Sequence, residues 1–139
     1  MRFIDANVFL YAIIKPKREI SHSEHAIKKQ AKKILDIIDL NEKVITTVVH
    51  VSEVLNILES HAPFDYTLEA AERLLFHDNI IIEEVNKDDY IISIEIAKRY
   101  KIGINDALAV FFMQKNKMIE IYSFDKHFDN IDWIKRVVD

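Results

Sequence analysis

Hydrophobic residues follow two alternating patterns along the chain, short apolar runs rich in β-branched residues and longer stretches with helical period. The short runs predict strands at residues 2–6, 43–47, 80–84, 120–123 and 135–138. Strands that alternate with helices are typical of an α/β protein built around a mostly parallel sheet.

The longer stretches predict amphipathic helices that begin near polar capping residues. After a first short helix behind Asp5, these helices cover residues 21–40, 48–60, 66–77, 87–100 and 105–117. The predicted caps are Ser21, Thr47, Asp65, Asn86 and Asn105. No linker, internal repeat or break in composition interrupts this order, so residues 1–139 are predicted to form a single domain.

Composition narrows the classes of function. The chain has no cysteine, which excludes disulfides and thiolate zinc sites and leaves oxygen or imidazole as metal ligands. Its one glycine, Gly103, excludes a glycine-rich dinucleotide loop and a P-loop. A formal net charge of -4 argues against nonspecific coating of nucleic acid, although an acidic site loaded with cations can still attract phosphate.

The location of the protein is predicted from the absence of two signals. No stretch approaches the roughly 20 uncharged apolar residues of a membrane helix, and the amino-terminal sequence has no signal-peptide cleavage site. We therefore expect a soluble, cytoplasmic protein without membrane contacts.

Acidic residues stand where ligand sites form in open α/β sheets. Asp5 and Asp125 follow predicted strands, while Glu53 and Asp106 lie in early turns of predicted helices. Each has an ordinary explanation on its own, as a cap, a turn residue, an edge residue or a partner of the helix dipole. If all four converge, their repulsion requires cations, and Mg²⁺ or Mn²⁺ suits oxygen ligands. Such ions support hydrolysis of phosphodiesters.

Three segments carry a family resemblance: FIDAN at residues 3–7, TTVVHVSEVLN at 46–56, and NDALAVFFMQKNKMIEIYSFDKHF at 105–128. Their order and spacing resemble the PIN-domain family, and the compact chain looks most like the VapC-type toxins of toxin-antitoxin pairs. The resemblance implies a three-layer α/β/α sandwich with a central, mostly parallel five-stranded sheet and the first strand in its middle.

The resemblance also implies roles for residues and partners. Asp5, Glu53, Asp106 and Asp125 match the family's catalytic, metal-binding acids, Asn7 and Ser123 match its supporting polar positions, and Asp129 is a possible extra ligand. The implied activity is a Mg²⁺- or Mn²⁺-dependent endoribonuclease that leaves 5′-phosphate and 3′-hydroxyl ends. The implied partners are RNA, a cognate antitoxin and a second copy of the chain in a homodimer.

Other polar residues are interpreted from their local pattern. Lys15, Lys17 and Arg18 form a basic turn, and these residues together with Lys126 are predicted phosphate contacts. His22 and His25, and His50 with Glu53, have the helical spacing of metal ligands, but we interpret these histidines as solvent-facing.

Two other functions are consistent with the acids. A non-catalytic PIN scaffold could act as an RNA- or protein-binding module, and would cleave no RNA. A phosphate-transfer domain with Asp5 as nucleophile would form an aspartyl-phosphate. The FIDAN segment lacks the second aspartate and the following threonine of the haloacid-dehalogenase motif, which disfavours the phosphate-transfer hypothesis.

Overall fold

Five parallel strands form the centre of the protein in the computed structural model, which describes residues 1–139. They are β1 (Arg2–Ile4), β2 (Val44–Thr47), β3 (Ile80–Glu83), β4 (Glu120–Tyr122) and β5 (Lys135–Val137). Their order across the sheet is β3-β2-β1-β4-β5. The predicted parallel sheet with a central first strand is confirmed, and all five strands end at the same edge.

Helices cover both faces of this sheet. They are α1 (Ala6–Ile13), α2 (His22–Leu40), α3 (Val48–His61), α4 (Phe64–Leu75), α5 (Lys87–Tyr100) and α6 (Ile104–Lys115), with a 3₁₀ helix at Lys126–Asn130. Buried residues of α1 to α4 pack with Ile4 and Val44 on one face. Buried residues of α6 and the 3₁₀ helix pack with Phe3 and Ile121 on the other, where α5 adds partly buried residues. The predicted three-layer sandwich is confirmed.

Three of the predicted helix caps are confirmed. The side chains of Ser21, Thr47 and Asn86 accept hydrogen bonds from backbone N–H groups in the first turns of α2, α3 and α5. None of the helices is both long and apolar enough to cross a membrane.

The predictions that Asp65 and Asn105 cap helices are wrong. α4 begins before Asp65 because Pro63 occupies the cap position with a φ of -60° and its carbonyl accepts from Thr67 N. α6 begins after Gly103, which leaves Asn105 inside the first turn with its side chain free for another contact.

Candidate metal centre

The neighbouring strands β1 and β4 place two acids side by side. Their register pairs Ile4 with Tyr122, so that Asp5 and Ser123 both lie just beyond the strand ends. The Ser123 hydroxyl donates to Asp5 Oδ2 at 2.8 Å and accepts from Asp125 N at 3.0 Å. One hydroxyl therefore connects the acid behind β1 to the acid behind β4.

Asp5 is held by two hydrogen bonds in a buried position. Its Oδ2 accepts from Ser123, and its Oδ1 accepts from Ala6 N at 2.8 Å in the first turn of α1. Asn7 lies at the same junction, where its Oδ1 accepts from Phe124 N at 3.3 Å and its Nδ2 makes a long contact of 3.5 Å with Ser123 Oγ. The predicted supporting residues Asn7 and Ser123 thus contact each other and the strand ends.

Asp106 and Glu53 reach the same edge from helices. Asp106 lies in the first turn of α6, and the neighbouring Asn105 donates from Nδ2 to Glu53 Oε1 on α3 at 2.6 Å. The Asn105 amide oxygen in turn accepts from Tyr90 OH on α5 at 3.2 Å. Asn105 therefore orients Glu53 toward α6, a role that could not be read from its position next to Asp106 alone.

His50 does not face solvent, contrary to the prediction, and only 1% of its surface is exposed. Its Nδ1 lies 2.7 Å from Thr47 Oγ1, its Nε2 lies 3.1 Å from the carbonyl oxygen of Asn105, and its ring packs edge-on against Phe3. Burial lowers the pKa of His50 to about 4, against the nearby charge of Glu53, which raises it. The neutral imidazole thus bridges the starts of α3 and α6.

Burial and mutual repulsion perturb the ionisation of the acids. Burial raises the pKa of Asp5 to about 6, against the hydrogen bonds from Ser123 and Ala6, while the Asp125 charge adds to the increase. Burial also raises the pKa of Asp106 to about 7, with further contributions from the charges of Asp5, Asp125 and Glu53. These charges act on Asp106 together, so the structure brings all four predicted acids into one electrostatic neighbourhood.

No lysine or arginine forms an ion pair with any of the four acids. The one basic residue within ion-pair distance of any of the four acids is His127, whose Nδ1 lies 2.9 Å from Asp125 Oδ1. Carboxylates that lie together without lysine or arginine partners have the chemistry of a site for hard divalent cations. The residues present therefore fit such an ion.

One set of metal-ligating atoms lies close together, and it includes a residue that was not predicted from the sequence but does not include Asp5 or Glu53. One carboxylate oxygen each of Asp106 and Asp125 and one imidazole nitrogen of His127 all lie within 4.8 Å of one another. The signal available in the sequence was the position of His127, two residues after Asp125 in a predicted turn.

Asp129, the possible extra ligand, forms an ion pair that does not involve the four acids. Asp129 pairs with Arg136, whose Nε lies 2.9 Å from its Oδ1, and does not join the cluster of ligating atoms. This ion pair connects the 3₁₀ helix to β5, where Arg136 also donates to the carbonyl oxygen of Ser123 at 3.2 Å. Whether Asp129 supports the site stays a prediction.

The predicted phosphate contacts are not hydrogen-bonded or ion-paired to the acids. Lys15, Lys17 and Arg18 lie between α1 and α2, where Arg18 pairs with Glu24 at 3.0 Å. Lys126 is exposed at the start of the 3₁₀ helix. Their contact with a substrate stays a prediction.

Comparison with known proteins identifies relatives of this fold. The sequence model of the family described as PIN domain matches residues 2–134. The structure of the toxin VapC20 of Mycobacterium tuberculosis superposes with a TM-score of 0.74 at 19% identity, covering 96% of this chain and 97% of VapC20.

Two further structures are similar over nearly their whole length. VapBC2 of Rickettsia felis, bound to a DNA fragment from its promoter, gives a TM-score of 0.67 at 13% identity, covering 98% of this chain and 96% of the other. A toxin-antitoxin complex of Klebsiella pneumoniae gives 0.66 at 13% identity, with coverage of 97% and 96%. A search among curated proteins found no significant match.

Proposed function

The chain belongs to the PIN domain family, and we propose that it is a metal-dependent endoribonuclease that acts as the toxin of a toxin-antitoxin pair. The observation that supports this proposal is that the charges of Asp5, Asp125 and Glu53 all act on Asp106, while no lysine or arginine forms an ion pair with any of these four acids. Asp5, Glu53, Asp106 and Asp125 are the proposed catalytic, metal-binding residues.

The acids alone repel the substrate. RNA carries a negative charge on each phosphate, so an uncompensated cluster of carboxylates would exclude it from the sheet edge. Bound Mg²⁺ or Mn²⁺ would neutralise the acids, lower the pKa of a water molecule and stabilise the charge that develops on the phosphate. Proposed phosphate contacts from Lys15, Lys17, Arg18 and Lys126 would add positive charge around this edge.

The residues of the chain would hold the acids ready for that chemistry. Ser123 and Ala6 fix both carboxylate oxygens of Asp5, and Asn105 fixes one oxygen of Glu53. An acid that is already oriented loses less conformational entropy when it binds a cation or positions a water molecule.

The solved relatives support the choice of substrate and partner. VapC20 is a toxin that cleaves the sarcin-ricin loop, and the Klebsiella pneumoniae protein is in complex with its antitoxin. We propose the same kind of substrate and partner for this chain, an RNA and a cognate antitoxin. From the family resemblance we further propose that the antitoxin inhibits cleavage and that the chain works as a homodimer.

Cleavage of a panel of single-stranded RNAs tests the proposed activity. In Mg²⁺ or Mn²⁺ we expect cleavage that leaves 5′-phosphate ends, is lost in excess chelator and falls about 100-fold or more in D5N and D106N. Asn is nearly isosteric with Asp, so the fold should survive.

D78N is the matched control, because Asp78 is exposed in a turn outside the acidic cluster and its replacement should leave cleavage unchanged. Undiminished cleavage by D106N, or in excess chelator, would contradict the metal-carboxylate mechanism. No cleavage of any RNA by the parent protein would favour a non-catalytic binding module.

A further inference from the structure

His127 is the one residue of the acidic neighbourhood that offers nitrogen to a cation. It lies in the 3₁₀ helix that follows β4, and its backbone N–H donates to Asp125 Oδ1 at 2.9 Å. The chain turn therefore holds His127 next to Asp125, and the side chain does not have to cross the site to reach the acids.

We propose that His127 is a direct ligand of a divalent cation that it shares with Asp106 and Asp125, and that it gives this position a preference for first-row transition ions over Mg²⁺. The proposal rests on the proposed function, because it assigns one more ligand to the same site. It also changes the chemistry expected from four carboxylates, which is ligation by oxygen alone.

The distances suit ligands of one ion. Two atoms that bind the same ion at a right angle, each about 2.1 Å from it, lie about 3 Å apart. His127 Nδ1 and Asp125 Oδ1 are 2.9 Å apart, and the Asp106 carboxylate is within 4.8 Å of both residues' ligating atoms. Two ligands on opposite sides of such an ion lie about 4.2 Å apart, so a separation within 4.8 Å is close to what one shared ion requires.

The His127 side chain is also exposed enough to adjust its position around an ion. Its side chain is 67% exposed, and the Asp125 contact is its one ion pair. His50, the other histidine near the acids, cannot be the metal ligand because both of its ring nitrogens already contact other groups, in Thr47 and Asn105.

The ligand set determines which ion is favoured. Imidazole nitrogen suits first-row transition ions, whereas Mg²⁺ takes oxygen ligands and keeps several water molecules. A site of two carboxylates and one imidazole therefore discriminates between ions that a purely carboxylate site would hold more equally.

Pulsed electron paramagnetic resonance of the Mn²⁺-loaded protein detects the proposed bond directly, since a coordinated imidazole adds ¹⁴N modulation to the Mn²⁺ signal. We expect this modulation in the parent protein and its loss in H127Q. Titration should show that H127Q lowers Mn²⁺ affinity about tenfold and Mg²⁺ affinity much less. H25Q, which replaces an exposed histidine of α2, should keep both the modulation and the affinity.

A second variant separates this inference from the proposed function. If D106N greatly weakens Mn²⁺ binding but the parent lacks ¹⁴N modulation, or H127Q retains it, the cation site stands and the assignment of His127 is overturned. If D106N leaves Mn²⁺ affinity unchanged, the acidic cluster does not hold the cation, and both proposals fail.

Discussion

Asp106 is the acid whose ionisation responds most to its surroundings. Burial, assisted by the charges of Asp5, Asp125 and Glu53, raises its pKa to about 7. In an unfolded chain the pKa of an aspartate is about 4, so without metal the folded protein binds the proton more tightly than the unfolded one. The stabilisation that protonated Asp106 gives at low pH is therefore lost as the pH rises from about 4 to about 7.

Replacement of Asp106 by asparagine should remove this pH dependence. We expect D106N to be about as stable as the parent at pH 4 and more stable by about 2 kcal/mol at pH 8 without metal, after allowance for solvent screening. Urea unfolding in chelator measures the difference at each pH. His50 titrates in both the parent and D106N, so its contribution cancels in the stability difference between them. A stability difference between D106N and the parent that does not change with pH would contradict the electrostatic account.

At the scale of elements, the site depends on how α3 and α6 meet above the sheet edge. Asn105 in the first turn of α6 contacts Glu53 through its side chain and His50 through its backbone carbonyl, and both partners belong to α3. The hydroxyl of Tyr90 on α5 donates a hydrogen bond to the oxygen of the Asn105 side-chain amide. The orientation of Glu53 is therefore set by contacts between helices.

Loss of the Asn105 side chain should release Glu53. We expect N105A to weaken Mn²⁺ binding and RNA cleavage about tenfold, since groups that orient metal ligands contribute to affinity. Its backbone contact with His50 remains, so circular dichroism should show an unchanged fold. N56A, at an exposed position of α3, is the matched control and should behave like the parent. Equal affinity in N105A and the parent would show that Glu53 needs no such support.

The chain after α6 takes a left-handed backbone conformation at a lysine, where glycine would be less strained. Lys117 has a φ of 56°, a left-handed conformation that glycine adopts without strain. We expect K117G to stabilise the protein by about 1 kcal/mol. K33G removes an exposed lysine from the middle of α2 and should destabilise it by about 1 kcal/mol. Thermal unfolding that moves in the same direction for both variants would rule out this explanation.

The elements themselves could be predicted because their signals are local. Apolar runs and capping residues predicted the ends of β2 and α5 to within one residue. The predicted β1 and β4 were longer than the observed strands by only one or two residues. Contacts between elements have no such signal. Nothing near His50 in the sequence indicates that Phe3 and Asn105 cover it, and nothing near Asn105 indicates that it contacts Glu53.

At the scale of the whole molecule, the parallel sheet brings distant residues together. Asp5 and Asp125 are separated by most of the chain, yet adjacent strands end beside each other and Ser123 bridges the two acids. α3 and α6 approach this edge from β2 and α5, and so add Glu53 and Asp106. The account of function requires that divalent cations occupy the place where these elements meet.

Anomalous diffraction from crystals soaked in Mn²⁺ tests that requirement most directly. The account predicts one or two peaks among the carboxylates of Asp5, Glu53, Asp106 and Asp125, absent from crystals of D106N soaked in the same way. Empty density among these acids, at a Mn²⁺ concentration that supports RNA cleavage in solution, would contradict it.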